Sequence, residues 1–203
     1  MRCSTCSRGW EFLLRRPDAH VLVLTTEKMR RVADIYDPHT SPLFGDAATA
    51  TVLTGAHGTG TSLATLQRPV LGARADDQQT LQVPLLAPGA FVRMDGKRVF
   101  SKAVRTMCDS LSAAAAEAGL PLDQLDLVVP HQANARTVDA VRARLKVAEQ
   151  RVWNEMRLIG NTSSSSVPLA LDTVLRQGAA GRLIGLCAFG AGHTFGAAVL
   201  TQR

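Results

Sequence analysis

The chain has 203 residues, 46% hydrophobic, 20% charged and only 4% aromatic, with a formal charge of +6. That is the composition of a globular protein able to bury a sizeable core as one large or two small domains, not of a fibrous or disordered chain. No apolar run approaches the roughly 18 residues that span a bilayer, and the opening "MRCSTCSRGWEF" lacks the apolar core of a signal peptide, so a cytoplasmic location is expected.

In chain order, "HVLVLTTE" (His20 to Glu27) reads as a buried strand, because a short β-branched and aliphatic run suits a sheet interior. "DPHTSPLFGD" has the Pro, Asp and Ser content of a loop, and "GDAATATVLT" alternates small and apolar residues as a second strand. Gly and Thr loosen the pattern from Gly55 to Thr65, where a further strand is expected. "LGARADDQQTLQVPLLAPGAF" carries the weakest signal and is read as a long surface excursion. Order returns at "MDGKRVFSKAVRTMCDSLSAAAAEAGL": Val99, Ala103, Met107 and Leu111 recur at helical spacing, and Gly119 with Pro121 supplies the stop. "LDLVVP" is then a strand, "NARTVDAVRARL" a helix and "SSVPLALDTVLRQG" a helix ending at Gly178. "RLIGLCAFGAGHTFGAAVLTQ" reads as two strands joined by a Gly-rich turn. The alternation defines an α/β fold with a mixed sheet.

Three segments carry chemistry. His131 follows Pro130 at the C-terminal end of a strand, where "HQAN" opens a helix and where ligands gather on α/β sheets. Taken alone, a structural histidine is the commoner explanation. "GNTSSSSVPLALD" places Asn161 in a small-residue turn that runs directly into an amphipathic helix, which disfavours a simple linker. In "CAFGAGHTFGAAV" the glycines at 190, 192 and 196 allow close backbone approach to a ligand or form a tight hairpin. Cys3 and Cys6 form a C-x-x-C without a second ligand pair or a thioredoxin-like context, while Cys108 and Cys187 sit in apolar segments as core residues. His20, His39 and His57 have no partners at metal spacing. The basic residues are dispersed, at Arg15-Arg16, Arg30-Arg31, Lys97-Arg98 and Arg136 to Lys146. They suit an acidic protein or a phosphate-bearing small molecule, and no nucleic-acid motif accompanies them.

These blocks carry a resemblance. "LFGDAATATVL", "MDGKRVFSKAV", "PHQAN", "GNTSSSSVPLALD" and "AFGAGHTFGAAVL" are similar, in order, to the β-ketoacyl-acyl-carrier-protein synthase III family of the thiolase superfamily, over nearly all of Thr25 to Gln202. The resemblance implies a thiolase-like α/β fold: the C-terminal half of a duplicated architecture, plus the tail of the N-terminal half. Residues 1–70 would be that tail with the nucleophile region, 71–93 a connecting excursion and 94–203 the C-terminal domain.

The implied reaction is decarboxylative condensation of an acyl thioester with malonyl-acyl carrier protein, in fatty acid or polyketide biosynthesis. His131 and Asn161 would stabilise the enolate oxygen, and the Ala191 backbone N–H would serve the oxyanion hole, alanine standing where the family has a third glycine. Arg136 would dock acyl carrier protein, with Lys97, Arg98, Arg142, Arg144 and Lys146 as lesser candidates. The family's nucleophile is a cysteine at a strand-to-helix turn, where a helix N-terminus lowers the thiol pKa. Cys6 fits that place better than Cys3, although "WEFLLRRPDAH" reaches the next strand about two helical turns early.

No cofactor or metal is implied, since the thioester supplies the activation. Expected partners are acyl carrier protein and acyl-coenzyme A, with a homodimer or a missing partner subunit, and neither nucleic acid nor membrane. Two other readings stay open: a remnant that binds carrier protein or a partner subunit without catalysis, and acyl transfer onto an alcohol or amine. His193 stands where the family carries an apolar residue, and either touches the substrate channel or occupies a tolerant hairpin.

Overall fold

The computed structural model describes residues 3–74, 80–82, 91–178 and 181–203, with the backbone alone for residues 3–6. Helix α1 (Cys3–Arg15) leads into strand β1 (His20–Lys28), which pairs antiparallel with β2 (Asp46–Thr54) without a break from His20↔Thr54 to Lys28↔Asp46. Helix α1 packs on one face of this two-stranded ribbon. Gly9 permits the approach, because a Cβ there would stand 3.0 Å from Leu53 Cδ1 and 3.2 Å from Val21.

The expectation that His20 to Glu27 is a buried strand is corrected by the opposite face. Only Val23 is buried in β1, whereas Leu22, Leu24 and Val52 are about 60% exposed (58%, 62% and 60%). The aliphatic run that suggested two-sided burial belongs to a ribbon covered on one side.

Strands β3 (Ala64–Leu66) and β4 (Val70–Ala73) lie end to end along one edge of the final strand. The excursion expected from Leu71 to Phe91 is therefore partly sheet. Beyond β4, the two-residue strands β5 (Leu81–Gln82) and β6 (Arg93–Met94) also pair antiparallel. Residues 75–79 and 83–90 of that excursion lie outside the described residues. Gly72, which reads as a loop residue in sequence, is a packing residue: a Cβ there would fall 2.2 Å from Phe195 Cζ.

Helix α2 (Gly96–Glu117) starts where the Asp95 carboxylate accepts the Arg98 N–H, and the chain turns away at Gly119, whose φ of +71° suits glycine. Strand β7 (Leu127–Pro130) follows, then α3 (Ala135–Leu145), the single turn α4 (Met156–Ile159), α5 (Ser166–Arg176), β8 (Leu183–Gly190) and β9 (Thr194–Gln202).

The sheet order is β3/β4-β9-β8-β7, with β7 parallel to β8 and the remaining pairs antiparallel. Side chains alternate between its two faces, as the pleat requires. Val128, Cys187, Phe189 and Val199 meet Met107 and Leu111 of α2 and Val141 of α3. On the other face, Leu127, Val129, Ile184 and Leu200 meet Ala170 and Val174 of α5. Cys108 and Cys187 are buried, as their apolar segments predict, and burial pushes the Cys108 thiol up to about 11. Among the described residues, no helix is long and apolar enough to cross a membrane.

Candidate active site

The chain leaves β7 at Pro130, and the His131 N–H still donates to the Cys187 carbonyl (2.8 Å), so the parallel ladder carries His131 to the sheet's end. Gln132, fully buried, locks the turn that follows. Its Nε2 donates to the carbonyls of Pro130 (2.8 Å) and Trp153 (3.2 Å), and its Oε1 accepts the Glu155 N–H (2.9 Å). Asn134 then caps α3, accepting the Thr137 N–H (2.8 Å) and hydroxyl (3.1 Å). In "PHQAN" Gln132 locks the turn and the Asn134 Oδ1 caps the helix, so the backbone on either side of His131 is fixed.

The His131 ring is buried, and desolvation pushes its pKa down to about 4. The imidazole is therefore neutral at pH 7, with one nitrogen as donor and one as acceptor. Its Nδ1 lies 2.6 Å from the Ser166 hydroxyl. When Ser166 donates this bond, the ring proton resides on Nε2, which becomes a neutral donor for a ligand.

Asn161 arrives on a different loop. Its backbone N–H donates to the Leu43 carbonyl (2.9 Å) and its carbonyl accepts the Gly45 N–H (3.0 Å), which ties the loop to the start of β2. A Cβ on Gly45 would sit 2.4 Å from the Ile159 carbonyl oxygen, so only glycine allows this approach. The Asn161 Oδ1 accepts the Ser163 N–H (3.0 Å), leaving the Nδ2 donors for a ligand.

The serine tract is a bracket, with each residue spent on a different part of the site. Ser163 orients Asn161. Ser164 donates its N–H and hydroxyl to the Glu27 carboxylate of β1. The Ser165 hydroxyl pairs with Thr25 (2.7 Å) and reaches the Ala47 carbonyl (3.3 Å). Ser166 holds His131. Sequence reasoning missed Ser166 and Glu27 as site residues; both act through contacts across long chain separations.

Between β8 and β9, Gly192 (φ +71°) and His193 (φ +46°) take left-handed conformations, while Ala191 stays out of that region. Alanine at 191 therefore carries no backbone strain where glycine was expected. His131, Asn161, Ala191 and Arg136 all line one cavity of about 1590 Å³, whose wall includes the apolar side chains of Met107 and Phe189. Arg136, at the second position of α3, is exposed at its rim. Cys3 and Cys6 lie in the first turns of α1, and their side chains are outside the described residues. Among the described residues, no group of three His, Cys, Asp or Glu side chains is arranged to hold a metal ion.

The sequence and the fold are similar to those of known proteins. Residues 115–202 match the family model described as 3-oxoacyl-[acyl-carrier-protein] synthase III C terminal, and residues 12–68 match the one described as 3-oxoacyl-[acyl-carrier-protein] synthase III. The β-ketoacyl-[acyl-carrier-protein] synthase III of Mesorhizobium japonicum is 38% identical over 190 residues, which cover 89% of this chain and 58% of that protein. Synthase III 1 of Halalkalibacterium halodurans is 34% identical over 204 residues, covering 95% of this chain and 60% of the relative.

Among solved structures, the synthase III from Thermus thermophilus superposes with a TM-score of 0.87 at 33% identity, over 98% of this chain and 64% of that one. The priming β-ketosynthase from the R1128 polyketide biosynthetic pathway superposes with a TM-score of 0.85 at 34% identity, over 99% and 63%. The fold is thus of the thiolase-like α/β class. Within that class, the chain belongs to the β-ketoacyl-[acyl-carrier-protein] synthase III family, and it spans about three fifths of the length of the curated relatives it matches.

Proposed function

We propose that this chain carries the decarboxylation and condensation half of a ketoacyl synthase III-type acyltransferase, acting on an acyl thioester and malonyl-acyl carrier protein. One observation supports this reading above the rest: His131 and Asn161, delivered by separate loops, line one cavity as neutral donors with backbone turns locked behind them. The malonyl thioester oxygen accepts hydrogen bonds from His131 Nε2 and Asn161 Nδ2. As carbon dioxide leaves, the electron pair of the broken bond forms an enolate, and its charge develops on that oxygen. Preorganised donors aimed at developing charge are commonly the largest catalytic contribution.

A neutral histidine suits the step, because it donates without requiring a buried cation before the enolate forms. The enolate carbon then attacks the acyl thioester carried on the nucleophile, for which Cys6 is the candidate. The resulting tetrahedral oxyanion is held by the Ala191 N–H, and its collapse expels the thiolate. Arg136 sits at the cavity rim, placed to meet an acidic carrier protein. Residues 94–203 act as the C-terminal domain that carries His131 and Asn161, residues 71–93 as the connection, and residues 1–70 as the tail of the N-terminal half that carries the nucleophile region. The uncovered face of β1 and β2 favours a homodimer or a partner subunit as the working form.

The test has two arms. Intact mass is recorded after incubation with short and medium acyl thioesters, alongside Cys6→Ala. Carbon dioxide release from malonyl-acyl carrier protein is measured for the wild type, His131→Ala and Asn161→Ala. An acyl adduct lost with Cys6, and release lost with either donor, supports the reading. Release that persists in both donor variants refutes it.

A further inference from the structure

His193 is buried, yet no step above uses it. It also adopts a φ of +46°, a backbone region that a side chain with a β-carbon rarely occupies without compensation. The compensation is visible. Its Nε2 lies 2.9 Å from the hydroxyl of buried Thr80, and its ring stands 5.3 Å from that of Phe189, tilted by 48°. Its carbonyl accepts the Arg74 N–H (3.2 Å), and the Thr80 carbonyl accepts the N–H of Asp95, the cap of α2 (2.9 Å). A continuous link therefore runs from the N-terminus of α2, through Thr80 and the His193 ring, to the turn that carries Ala191.

We infer that His193 is a positioning residue, which with Thr80 fixes the β8–β9 turn so that the Ala191 N–H faces the cavity. The role in acyl transfer rests on the function proposed above; the fixing of the turn does not. Two left-handed residues in succession, Gly192 and His193, give this three-residue turn its shape. The turn's last sheet pair is Gly190↔Thr194, and the Ala191 carbonyl accepts a local bond from the Thr194 hydroxyl (3.1 Å). The Thr80–His193 bond is long-range in sequence and reaches outside the hairpin, so it sets the turn's orientation relative to α2. A backbone donor displaced by even about 1 Å loses much of its effect on a transition state.

The experiment compares wild type, His193→Phe, Thr80→Val and Thr80→Ser. His193→Phe keeps an aromatic ring against Phe189 but loses the hydrogen bond, and Thr80→Val keeps the shape but loses the hydroxyl. Deuterium exchange at residues 190–194 is followed by mass spectrometry, and the half-reactions of acyl transfer and malonyl decarboxylation are timed separately. His193→Phe and Thr80→Val are expected to raise exchange in this turn by about fivefold or more, without change in α2 or α5. The same two variants are expected to slow acyl transfer about tenfold to a hundredfold through kcat, leaving KM and malonyl decarboxylation near the wild-type values. Thr80→Ser restores both.

Unchanged exchange at the turn, exchange raised throughout the sheet, or an equal fall in the two half-reactions overturns the inference. A wild type that exchanges as expected but transfers no acyl group overturns the proposed function instead, and the exchange data alone then decide whether His193 and Thr80 fix the turn.

Discussion

Acid should unfold this protein through His131 in a way that can be isolated. The imidazole has a folded pKa of about 4, because burial disfavours its charged form, against an ordinary value of 6.5. Protons therefore bind the unfolded chain more tightly, and stability falls as pH falls. The loss begins as pH drops through 6.5 and is complete below 4. The gap between those values, at roughly 1.4 kcal/mol per pH unit, amounts to about 3 kcal/mol. That is a large share of the roughly 5–15 kcal/mol that holds a domain folded. Urea denaturation of wild type and His131→Gln between pH 7.5 and 4 checks it. Every other titrating group is common to both proteins, so the stability difference between them should shift by about 3 kcal/mol against the wild type across that window. A difference that stays constant would mean that His131 titrates normally and is not shielded from water. The neutral-donor mechanism would then lose its basis. Activity gives a parallel reading: decarboxylation should show no ionisation near pH 6.5 attributable to this ring.

Three substitutions probe the rest of the site. Asn161→Ala removes a donor aimed at the developing enolate and should slow carbon dioxide release from malonyl thioester by about 10²–10³-fold, read by radiolabel loss. Ser166→Ala leaves His131 Nδ1 buried without its partner. It should cost about 1–3 kcal/mol in urea and give mixed imidazole tautomers by nitrogen NMR, where the wild type shows one. Gly45→Ala drives a methyl group to 2.4 Å from the Ile159 carbonyl, so it should cost about 1–3 kcal/mol by thermal or urea denaturation. It should also slow decarboxylation, because the displaced strand start is what holds the Asn161 backbone.

The helices and the central sheet are legible because local signals and burial agree there. Val99, Ala103, Met107 and Leu111 mark the buried face of α2, as their spacing predicts, and the side chains of Asp95 and Asn134 cap α2 and α3. His131, Asn161 and Ala191 are legible because each ends or joins regular elements in recognisable blocks, and all three reach the cavity. The ribbon misleads, since an aliphatic strand looks the same whether its second face is covered or bare, and Leu22 and Leu24 are bare. Strand β4 is illegible for a related reason: four residues paired on one edge of β9 carry too short a pattern, and Gly72 reads as loop while it makes room for Phe195. Ser166 and Glu27 are invisible in sequence because their roles are contacts across long chain separations, which no local pattern encodes.

The serine tract joins the β1–β2 ribbon to the loops that carry His131 and Asn161. Asn161 and His131 are set by Ser163 and Ser166, and the two serines between them are held by Glu27, Thr25 and the Ala47 carbonyl, all on the β1–β2 ribbon. A two-stranded ribbon is marginal by itself and takes its stability from what packs on it. Here α1 and the serine tract cover one face, while Leu22, Leu24 and Val52 face outward. Any loosening of the ribbon therefore reaches both His131 and Asn161 through the hydrogen bonds of the serine tract. Conversely, whatever buries those three apolar side chains stabilises the ribbon by about 25 cal/mol for each Å² covered, and that gain is passed to the bracket. Both donors are thus tied to a ribbon whose outer face is bare, so the proposed decarboxylation should track how well that ribbon is held.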